Sequence, residues 1–427
     1  CATAAEVAAC VRFAADAAVP LAVRAGGHSY GGWSRGRGLM VDTRGLASVS
    51  VDHGAGLARI GAGASLIDVY TALGRQGVAV AGGSCPTVGL TGLSLGGGLG
   101  VLNRSFGLTC DAIRAVSIVT ADGHERSVDA RTEPDLFWAL RGGGGGFGAV
   151  TGLTMQVRPA PTLSTFYLQF PSSAAADVLA GWLPWVLRAP RALWSTCKLL
   201  AEGADGSTRV TVSGTWAASP SGLDAALAPL LRTLPAPLTR EVARRSYVDT
   251  MLFEAGCAGQ SAASCTADAL RAPTRQPFAA TSSVVTAPLA AAAVEAAVSS
   301  AWAARSVPGI VEGGASFDAL GGAVADVAPG ASAFVHRRAQ AIVQYTATWP
   351  AGTPAGGSAA APYDSYVRRF RATMSRWLGT SAYCNYADPS IADYGPAYWG
   401  ANYPRLQQVK AHYDPDGRFS FAQSVRR

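Results

Sequence analysis

The sequence predicts an α+β fold of two domains, because short strands and helices alternate over the first part of the chain and longer strands with two-residue periodicity follow. The 427 residues are enough for two cores, since single cores rarely grow past about 250 residues. A content of 49% hydrophobic and 15% charged residues is typical of globular chains.

The N-terminal part predicts a mixed layer of short elements. Apolar residues recur at helical spacing over 3–19, and a strand at 21–23 runs into Gly26 and Gly27. One further helix is expected at 65–74, and short strands at 38–42, 49–51, 57–61, 78–81 and 115–120. Asp122 and Gly123 mark a hairpin turn, Pro134 begins a helix, and an alternating strand covers 149–157.

Beyond Pro159 the pattern changes to an antiparallel sheet backed by helices. Strands with two-residue periodicity are predicted at 166–170, 209–216 and 341–349, with alanine-rich helices between them. A loop rich in Gly, Pro and Ala covers 351–361, and the chain ends in a segment rich in Tyr, Asn and Asp with a helix at 403–411.

The charge distribution argues against a nucleic-acid partner. The formal net charge is +7, but the basic residues are scattered arginines, with lysine only at Lys198 and Lys410. No apolar run approaches the roughly 18 residues of a membrane span, so a soluble chain without a membrane partner is expected. Because the chain begins without methionine, we expect a removed leader and a secreted or exported protein, with a cytoplasmic location as the alternative.

Among the eight cysteines, Cys257 and Cys265 are close together in a segment of small and polar residues. This composition favours a disulfide-closed surface loop, and two free thiols are the alternative. Cys1 and Cys10 are a weaker candidate pair. Neither spacing suits a zinc site, so no metal is expected.

Three glycine-rich loops are the candidate ligand-binding segments. The first, at 24–32, surrounds His28 with glycines directly after a strand, so that backbone amides can approach a phosphate. The second, at 82–100, places Cys85 before Pro86 on a stiff loop, although a buried structural thiol is the ordinary alternative. The third, at 141–150, contains the spacing of a dinucleotide fingerprint, but it runs from helix to strand instead of strand to helix, so that match is accidental.

A serine hydrolase is the rival hypothesis. Gly92, Ser94 and Gly96 match a nucleophile-elbow pattern, with His336 or His412 as candidate bases. The elbow requires a helix directly after the serine, and the glycines that follow make that helix costly, at about 1 kcal/mol each.

Taken together, the motifs GGHS at 26–29, CPTVG at 85–89, PDLFWALRGGGGGFG at 134–148, YCNYAD at 383–388 and YWGANYPRLQQVKAHYDPDGRF at 398–419 resemble the berberine-bridge-enzyme-like oxidases along the whole chain. The resemblance implies an FAD-binding domain of the vanillyl-alcohol-oxidase (PCMH) type, formed by both chain ends around an inserted substrate domain. The expected division is 1–158, 159–386 and 387–427, the last being the C-terminal berberine-bridge-type segment that returns to the FAD domain.

The same resemblance implies FAD attached by two covalent bonds, from His28 to the 8α-methyl carbon and from Cys85 to carbon 6 of the flavin ring. The residues expected to bind the cofactor are His28, Cys85, Arg24, Ala25, Gly26, Gly27, Ser29, Tyr30, Val88, Gly89, Gly92, Leu93, Gly96, Gly97, Gly100, Gly148, Val150, Asn402 and Tyr403. For Asn402, capping of the final helix is the alternative role.

By the same resemblance, Tyr386 is the expected catalytic base, with Tyr383 as the second candidate and interface packing as the alternative role for both. A tyrosine can serve as base only if its pKa is lowered from about 10. On the strand at 341–349, alternation puts Gln344 and Tyr345 on opposite faces, and we expect Gln344 in the pocket.

The expected function is that of an oxidase which transfers a hydride from an alcohol, on a sugar or on a glycosylated or aromatic natural product, to FAD and passes the electrons to dioxygen. The strand at 341–349 lacks the glutamate that family cyclases use there, which favours alcohol oxidation over amine cyclisation. An oxidative cyclase or a dehydrogenase of natural-product biosynthesis is the alternative. A flavin-carrying binding protein and a hydrolase at Ser94 are the further alternatives. The expected partners are a small substrate and dioxygen, and the expected state is a monomer.

Overall fold

The computed structural model describes residues 1–203, 205–270 and 276–427. In these ranges the α-helices are α1 (Ala4–Asp16), α2 (Leu66–Arg75), α3 (Leu90–Leu95), α4 (Asn103–Phe106), α5 (Pro134–Ala139), α6 (Ala175–Arg188), α7 (Leu223–Leu231), α8 (Tyr247–Glu254), α9 (Ala262–Leu270), α10 (Ala291–Trp302), α11 (Ala361–Leu378), α12 (Tyr394–Trp399) and α13 (Tyr403–Tyr413). The strands are β1 (Leu21–Arg24), β2 (Leu39–Asp42), β3 (Val49–Asp52), β4 (Leu57–Gly61), β5 (Val78–Ala79), β6 (Ile113–Val119), β7 (Glu125–Asp129), β8 (Ala149–Gln156), β9 (Arg158–Pro159), β10 (Leu163–Phe170), β11 (Leu193–Glu202), β12 (Thr208–Trp216), β13 (Thr239–Arg245), β14 (Phe278–Val285), β15 (Glu312–Ala319) and β16 (Ala341–Thr348).

The N-terminal part is built on a five-stranded antiparallel sheet with the order β3-β4-β8-β6-β7. A small parallel pair, β1-β2, lies beside it and leads into the loop that carries His28. Helix α2 begins at a true N-cap, because the Ser65 hydroxyl accepts a hydrogen bond from the Asp68 amide. Its apolar side, with Leu66, Val69 and Leu73, is buried in the core of this part.

The middle of the chain forms a seven-stranded antiparallel sheet with the order β13-β10-β12-β11-β15-β16-β14. Its central strands alternate between two faces. The apolar side chains Leu199, Phe317 and Val343 point to one face and are buried against a layer of helices that includes α6, α10 and α11. The opposite face is more polar and turns toward the N-terminal part of the molecule.

Arg104 joins these two parts. Its guanidinium is fully buried and donates hydrogen bonds to the carbonyl oxygens of Leu193 at 2.7 Å, Leu320 at 2.6 Å and Ala189 at 3.0 Å. Because a buried guanidinium left without acceptors is costly, these contacts fix α4 against the start of β11 in the seven-stranded sheet.

The C-terminal segment packs back on the N-terminal part. The Trp399 indole donates to the Gly142 carbonyl at 3.0 Å, and the buried Lys410 ammonium donates to the Gly146 carbonyl at 2.6 Å while it pairs with Asp414. Both contacts hold the glycine-rich loop at 141–148. The C-terminal segment therefore holds the glycine-rich loop at 141–148 in place.

The α+β prediction is confirmed, and each helix and strand predicted individually is present with its ends shifted by a few residues. The sequence patterns missed β11, β13, β14 and β15, and they missed α3, which lies inside a glycine-rich loop. The domain division at 158 and 386 stays a prediction. Over the described ranges, no helix is both long and apolar enough to cross a membrane.

Candidate active site

A cavity of about 470 Å³ lies between the polar face of the seven-stranded sheet and the glycine-rich loops of the N-terminal part. This volume is typical of small-molecule and cofactor sites. The predicted site residues that line it are Ala25, Gly26, Gly27, His28, Ser29, Tyr30, Cys85, Val88, Gly89, Gly92, Leu93, Gly100, Gly148, Val150, Gln344, Tyr383 and Tyr386. Three loops that are far apart in the sequence thus meet at one space.

The loops of His28 and Cys85 are locked together. The His28 imidazole Nε2 lies 2.8 Å from the Thr87 hydroxyl. The backbones also touch, because a Cβ atom on Gly26 would lie 2.1 Å from the Gly89 nitrogen. Glycine at position 26 is therefore required for the two loops to approach, and their contact brings position 28 and position 85 to the same cavity.

The Cys85 side chain is accessible from the cavity. The surrounding walls raise the pKa of its thiol by burial, and a hydrogen bond from Ser84 and the positive charge of Lys198 partly offset this effect. Since the thiolate is the reactive form, Ser84 and Lys198 are the groups that favour reactivity of this cysteine.

The polar sheet face forms the opposite wall. Strand pairing aligns Lys198 on β11 with Ser316 on β15, and Ser316 with Gln344 on β16. One step along the same face, Thr196 is paired with Asp318. All five line the cavity. Tyr345 points the other way and is fully buried in the core. Gln344 and Tyr345 therefore lie on opposite faces, as strand alternation predicts.

Two tyrosines from the turn after α11 complete this wall. The Tyr383 hydroxyl accepts hydrogen bonds from the Gly98 amide at 3.0 Å and from the Asn385 side chain at 2.8 Å. Tyr386 stacks on Tyr30, with ring centroids 5.7 Å apart, and its hydroxyl makes no hydrogen bond to another described residue. Tyr386 is thus the tyrosine whose hydroxyl is available to a ligand.

The pKa of Tyr386 is raised well above 10 by burial, and the neighbouring acidic group of Asp318 acts in the same direction. A lowered pKa was the condition for a phenolate base. The described residues do not provide it, so Tyr386 is a neutral phenol in this environment. Asp318 lines the same cavity, and burial raises its pKa although the Lys198 charge partly offsets this effect.

Five predicted residues lie outside the cavity lining: Arg24, Gly96, Gly97, Asn402 and Tyr403. Gly96 and Gly97 pack closely against neighbouring side chains, because an added Cβ atom would lie 2.0 Å from Asn385 or 2.6 Å from Phe334, respectively. The Tyr403 ring stacks on Trp399, with centroids 5.7 Å apart.

Asn402 stands at the N-cap position of α13, but its side chain makes no capping hydrogen bond. Its amide instead donates to the carbonyl oxygens of Pro329, Ser332 and Ala333, at 2.9, 3.2 and 3.3 Å. The capping role proposed for this side chain is therefore wrong, and its observed contacts tie the start of α13 to the loop at 329–333.

The hydrolase hypothesis has no support in the geometry. Ser94 is buried inside α3, and its hydroxyl donates to the Leu90 carbonyl at 2.7 Å. The His336 Nε2 lies 3.0 Å from the Ala382 carbonyl and 3.1 Å from the Tyr398 carbonyl. Neither group contacts the other, and a serine nucleophile needs an adjacent base.

Of the two cysteine pairs considered from the sequence, one forms a disulfide and the other does not. Cys257 and Cys265 form a disulfide with Cα atoms 5.6 Å apart, as predicted. The Cys1 and Cys10 sulfur atoms lie 3.9 Å apart and are free thiols in the structure. Among the described residues there is no group of three or more potential His, Cys, Asp or Glu metal ligands.

Several cavity residues were not anticipated, namely Lys198, Glu254, Asp318, Ser316, Thr196, Trp194 and Asn385. Most lie on β11 and β15, strands that the sequence patterns missed. A signal was available for β11, because Trp194, Thr196 and Lys198 on the cavity face alternate with residues of the core face. Trp194 and Thr196 are also buried, and this near-continuous burial obscures the alternation.

The cavity suits a flat, phosphate-bearing cofactor. A Cβ atom on Gly92 would meet nothing within 4 Å, so the glycine there leaves space on the cavity side that no protein atom fills. Gly144, Gly145 and Gly148 line the same space without side chains. The Thr91 hydroxyl and the Trp194 indole nitrogen are buried without a hydrogen-bond partner in the described structure, and both residues line the cavity.

Comparison with known proteins agrees with this geometry. Residues 1–129 match the family described as FAD binding domain, and residues 382–426 match the family described as berberine and berberine like. An uncharacterised FAD-linked oxidoreductase of Bacillus subtilis (strain 168) is 29% identical over 421 residues, covering 97% of this chain and 87% of the relative.

Solved structures share the whole fold. A chitooligosaccharide oxidase superposes with a TM-score of 0.89 at 27% identity, over 100% of this chain and 90% of the other. BBE-like 1 of Physcomitrella patens superposes with a TM-score of 0.89 at 28% identity, also over 100% and 90%. The fold and the site define an FAD-dependent oxidoreductase. With its two matched regions and these superpositions, the chain is similar along its whole length to the berberine-bridge-enzyme-like FAD-linked oxidases.

Proposed function

We propose that this chain is an alcohol oxidase that holds FAD through covalent bonds to both His28 and Cys85 and forms hydrogen peroxide from dioxygen. The observation that carries the proposal is the meeting of His28 and Cys85 at one cavity, on two loops joined by the 2.8 Å contact of His28 with Thr87. The similarity to a chitooligosaccharide oxidase supports a hydroxyl-bearing substrate.

The glycines at 26, 27, 89, 92, 144 and 145 and the Thr91 hydroxyl would hold the cofactor, with His28 and Cys85 as the points of attachment. When bound, FAD supplies the hydride acceptor and returns the electron pair to dioxygen. The protein's own task is then to remove the hydroxyl proton of the alcohol as its carbon loses hydride.

Tyr386 and Asp318 would remove this proton together. Since the raised pKa of Tyr386 disfavours a resting phenolate and its hydroxyl makes no direct hydrogen bond to Asp318, it would take the substrate proton while passing its own proton through a bridging water to the Asp318 carboxylate. The proton thus moves away from the reacting carbon, and no isolated phenolate has to form in the buried site.

Tyr30 and Gln344 would orient this pair. The Gln344 amide donates to the Tyr30 hydroxyl at 2.9 Å, and the Tyr30 ring lies against Tyr386 with an interplanar angle of 12°. Stacking of this kind fixes the plane of the Tyr386 ring and therefore the direction of its hydroxyl.

Acid precipitation of the purified protein tests the covalent attachment. The wild type should keep its yellow colour in the pellet, His28→Ala and Cys85→Ala should each keep one linkage with an altered absorption spectrum, and the double variant should release its flavin. Cys384→Ala is the matched control, because Cys384 also lines the cavity but is not proposed to bind the flavin. Release of all flavin from the wild type would contradict the proposal.

Peroxide formation tests the reaction. A panel of sugars and of aromatic alcohols, supplied under air, should yield hydrogen peroxide in proportion to substrate consumed. Flavin reduction by an alcohol without peroxide under air would make the chain a dehydrogenase, and the absence of reduction by any alcohol would contradict the proposed substrate class.

A further inference from the structure

Two charged side chains of the cavity have no role in the proton transfer proposed above. Lys198 lies on the polar face of β11, in one row with Ser316 and Gln344. Glu254 is the last residue of α8 and reaches the same cavity from a different direction. Neither makes a hydrogen bond or an ion pair with another described residue.

The position of Glu254 is well fixed. Helix α8 packs on α2, and Leu252 forms a small buried cluster with Ile67, Cys257 and Cys265. The disulfide between these cysteines closes the loop that follows α8. A carboxylate without a partner among the described residues is therefore held at the cavity wall by a rigid support, as expected for a group that meets a ligand.

Charged groups on three neighbouring strands, β11, β13 and β15, act on the Glu254 carboxyl group. Lys198 on β11 and Arg245 on β13 favour its charged form, whereas Asp318 on β15 disfavours it. Arg245 is itself held over the Phe253 ring, 4.3 Å from the centroid. Burial outweighs these charges and raises the pKa of Glu254 to about 7, so its charge changes near neutral pH.

We propose that Lys198 and Glu254 form a substrate-selecting subsite that admits neutral hydroxyl-rich groups at any pH but admits an anionic group only when Glu254 is protonated. A neutral hydroxyl can accept a hydrogen bond from the Lys198 ammonium and donate one to the Glu254 carboxylate. A carboxylate on the ligand can pair with Lys198, but it is repelled by an ionised Glu254. The inference rests on the proposed function in placing the substrate in this cavity.

Two sugars of nearly equal shape test this subsite: D-glucuronamide, which is neutral, and D-glucuronate, which is anionic. Binding is measured by titration calorimetry on the reduced holoenzyme under nitrogen, so that no turnover occurs, from about pH 6 to about pH 8. In the wild type, the Kd of glucuronate should rise up to about tenfold per pH unit above the Glu254 transition, while the Kd of glucuronamide stays constant.

Single variants distinguish the contributions of Glu254 and Lys198 to glucuronate binding. Glu254→Gln should bind glucuronate with a Kd that no longer depends on pH, and Lys198→Met should weaken glucuronate about tenfold at low pH. Glu241→Gln is the matched control, because Glu241 is an exposed carboxylate on β13 away from the cavity, and it should behave as the wild type does. Thermal unfolding of each variant checks that the fold is retained.

A constant ratio of the two Kd values across the pH range in the wild type would overturn the proposal. An unchanged pH profile in Glu254→Gln, or failure of both sugars to bind, would overturn it as well. Peroxide release under air is measured separately. Binding that follows the predicted pH profile, with no oxidation of any alcohol, would contradict the proposed oxidase function and support the subsite.

Discussion

Gln344 and Tyr30 are joined by a hydrogen bond of 2.9 Å from the glutamine amide to the tyrosine hydroxyl, although they are 314 residues apart in the chain. This contact connects the seven-stranded sheet to the loop that carries His28. Tyr30 in turn packs against Tyr386 on one side and against Phe278 on the other, with ring centroids 5.7 Å and 4.8 Å away. The sheet wall and the loop wall of the cavity are thus aligned through one tyrosine.

Replacing Gln344 with alanine should lower kcat/KM about fivefold, because a lost buried hydrogen bond of roughly 1 kcal/mol would free the Tyr30 ring that fixes Tyr386. Tyr30→Phe should give a similar loss without opening a cavity. Steady-state oxidation with peroxide detection measures both. Gln408→Ala, on the exposed side of α13, is the control and should retain full activity. Wild-type kinetics in both Gln344→Ala and Tyr30→Phe would show that this contact does not position the base.

Replacing Asp318 with asparagine should lower kcat by about 100-fold or more, the usual contribution of a general base, with little change in bound flavin. The reason is that an asparagine amide could no longer receive the proton that Tyr386 passes on. Rapid flavin reduction under nitrogen measures this step directly. Asp326→Asn removes an exposed carboxylate paired with Arg191 and serves as the control. If Asp318→Asn were reduced at the wild-type rate, Tyr386 would have to deliver its proton elsewhere.

The sequence predicted the cavity residues of the glycine-rich loops much better than those of the opposite sheet wall. The loops around His28 and Cys85 are marked locally by glycine and proline, because close backbone approach restricts which residues fit, as at Gly26. Lys198 and Asp318 carry no such mark. They meet only because β11 pairs with β15, a contact between strands that are more than 100 residues apart.

The role of Tyr386 shows a second limit of sequence-based prediction. The motif around it indicated the correct wall of the cavity, but the direction of its pKa depends on which charges surround the hydroxyl in the folded chain. The acidic groups around it are those of Asp318, Tyr30, Tyr383 and Cys85, which belong to different parts of the sequence. Burial and charge of this kind follow from tertiary packing, so the raised pKa could not be inferred beforehand.

Replacing Gly92 with valine should abolish most flavin binding while leaving the fold intact. A side chain at this position meets no protein atom within 4 Å of its Cβ and would instead occupy the cavity. The ratio of visible to ultraviolet absorbance of the purified variant measures flavin content, and circular dichroism measures the fold. Gly330→Val is the matched control, because its Cβ is equally unobstructed but lies outside the cavity lining. Full flavin content in Gly92→Val would mean that the cofactor does not lie over α3.

Acid should destabilise the protein partly through His336. Burial lowers the pKa of this imidazole from 6.5 to about 4, despite hydrogen bonds to the carbonyl oxygens of Ala382 and Tyr398. Its folded pKa lies below its unfolded pKa, so its stabilising contribution is fully present above pH 6.5 and is lost as the pH falls toward 4. Within that window the free energy of unfolding should decrease by up to about 1.4 kcal/mol per pH unit on account of this one group.

Urea unfolding of the wild type and of His336→Gln across this pH window isolates the contribution of His336, because all other titrating groups are common to both. Glutamine keeps a donor for the two carbonyls but cannot take up a proton, so the variant should show a shallower loss of stability with acid. His53→Gln, in the exposed turn between β3 and β4, should follow the wild type. Parallel stability curves for the wild type and His336→Gln would rule out His336 as the cause of the acid destabilisation. Since Ala382 and Tyr398 flank the turn that carries Tyr383 and Tyr386, the wild type should also lose activity over the same pH window.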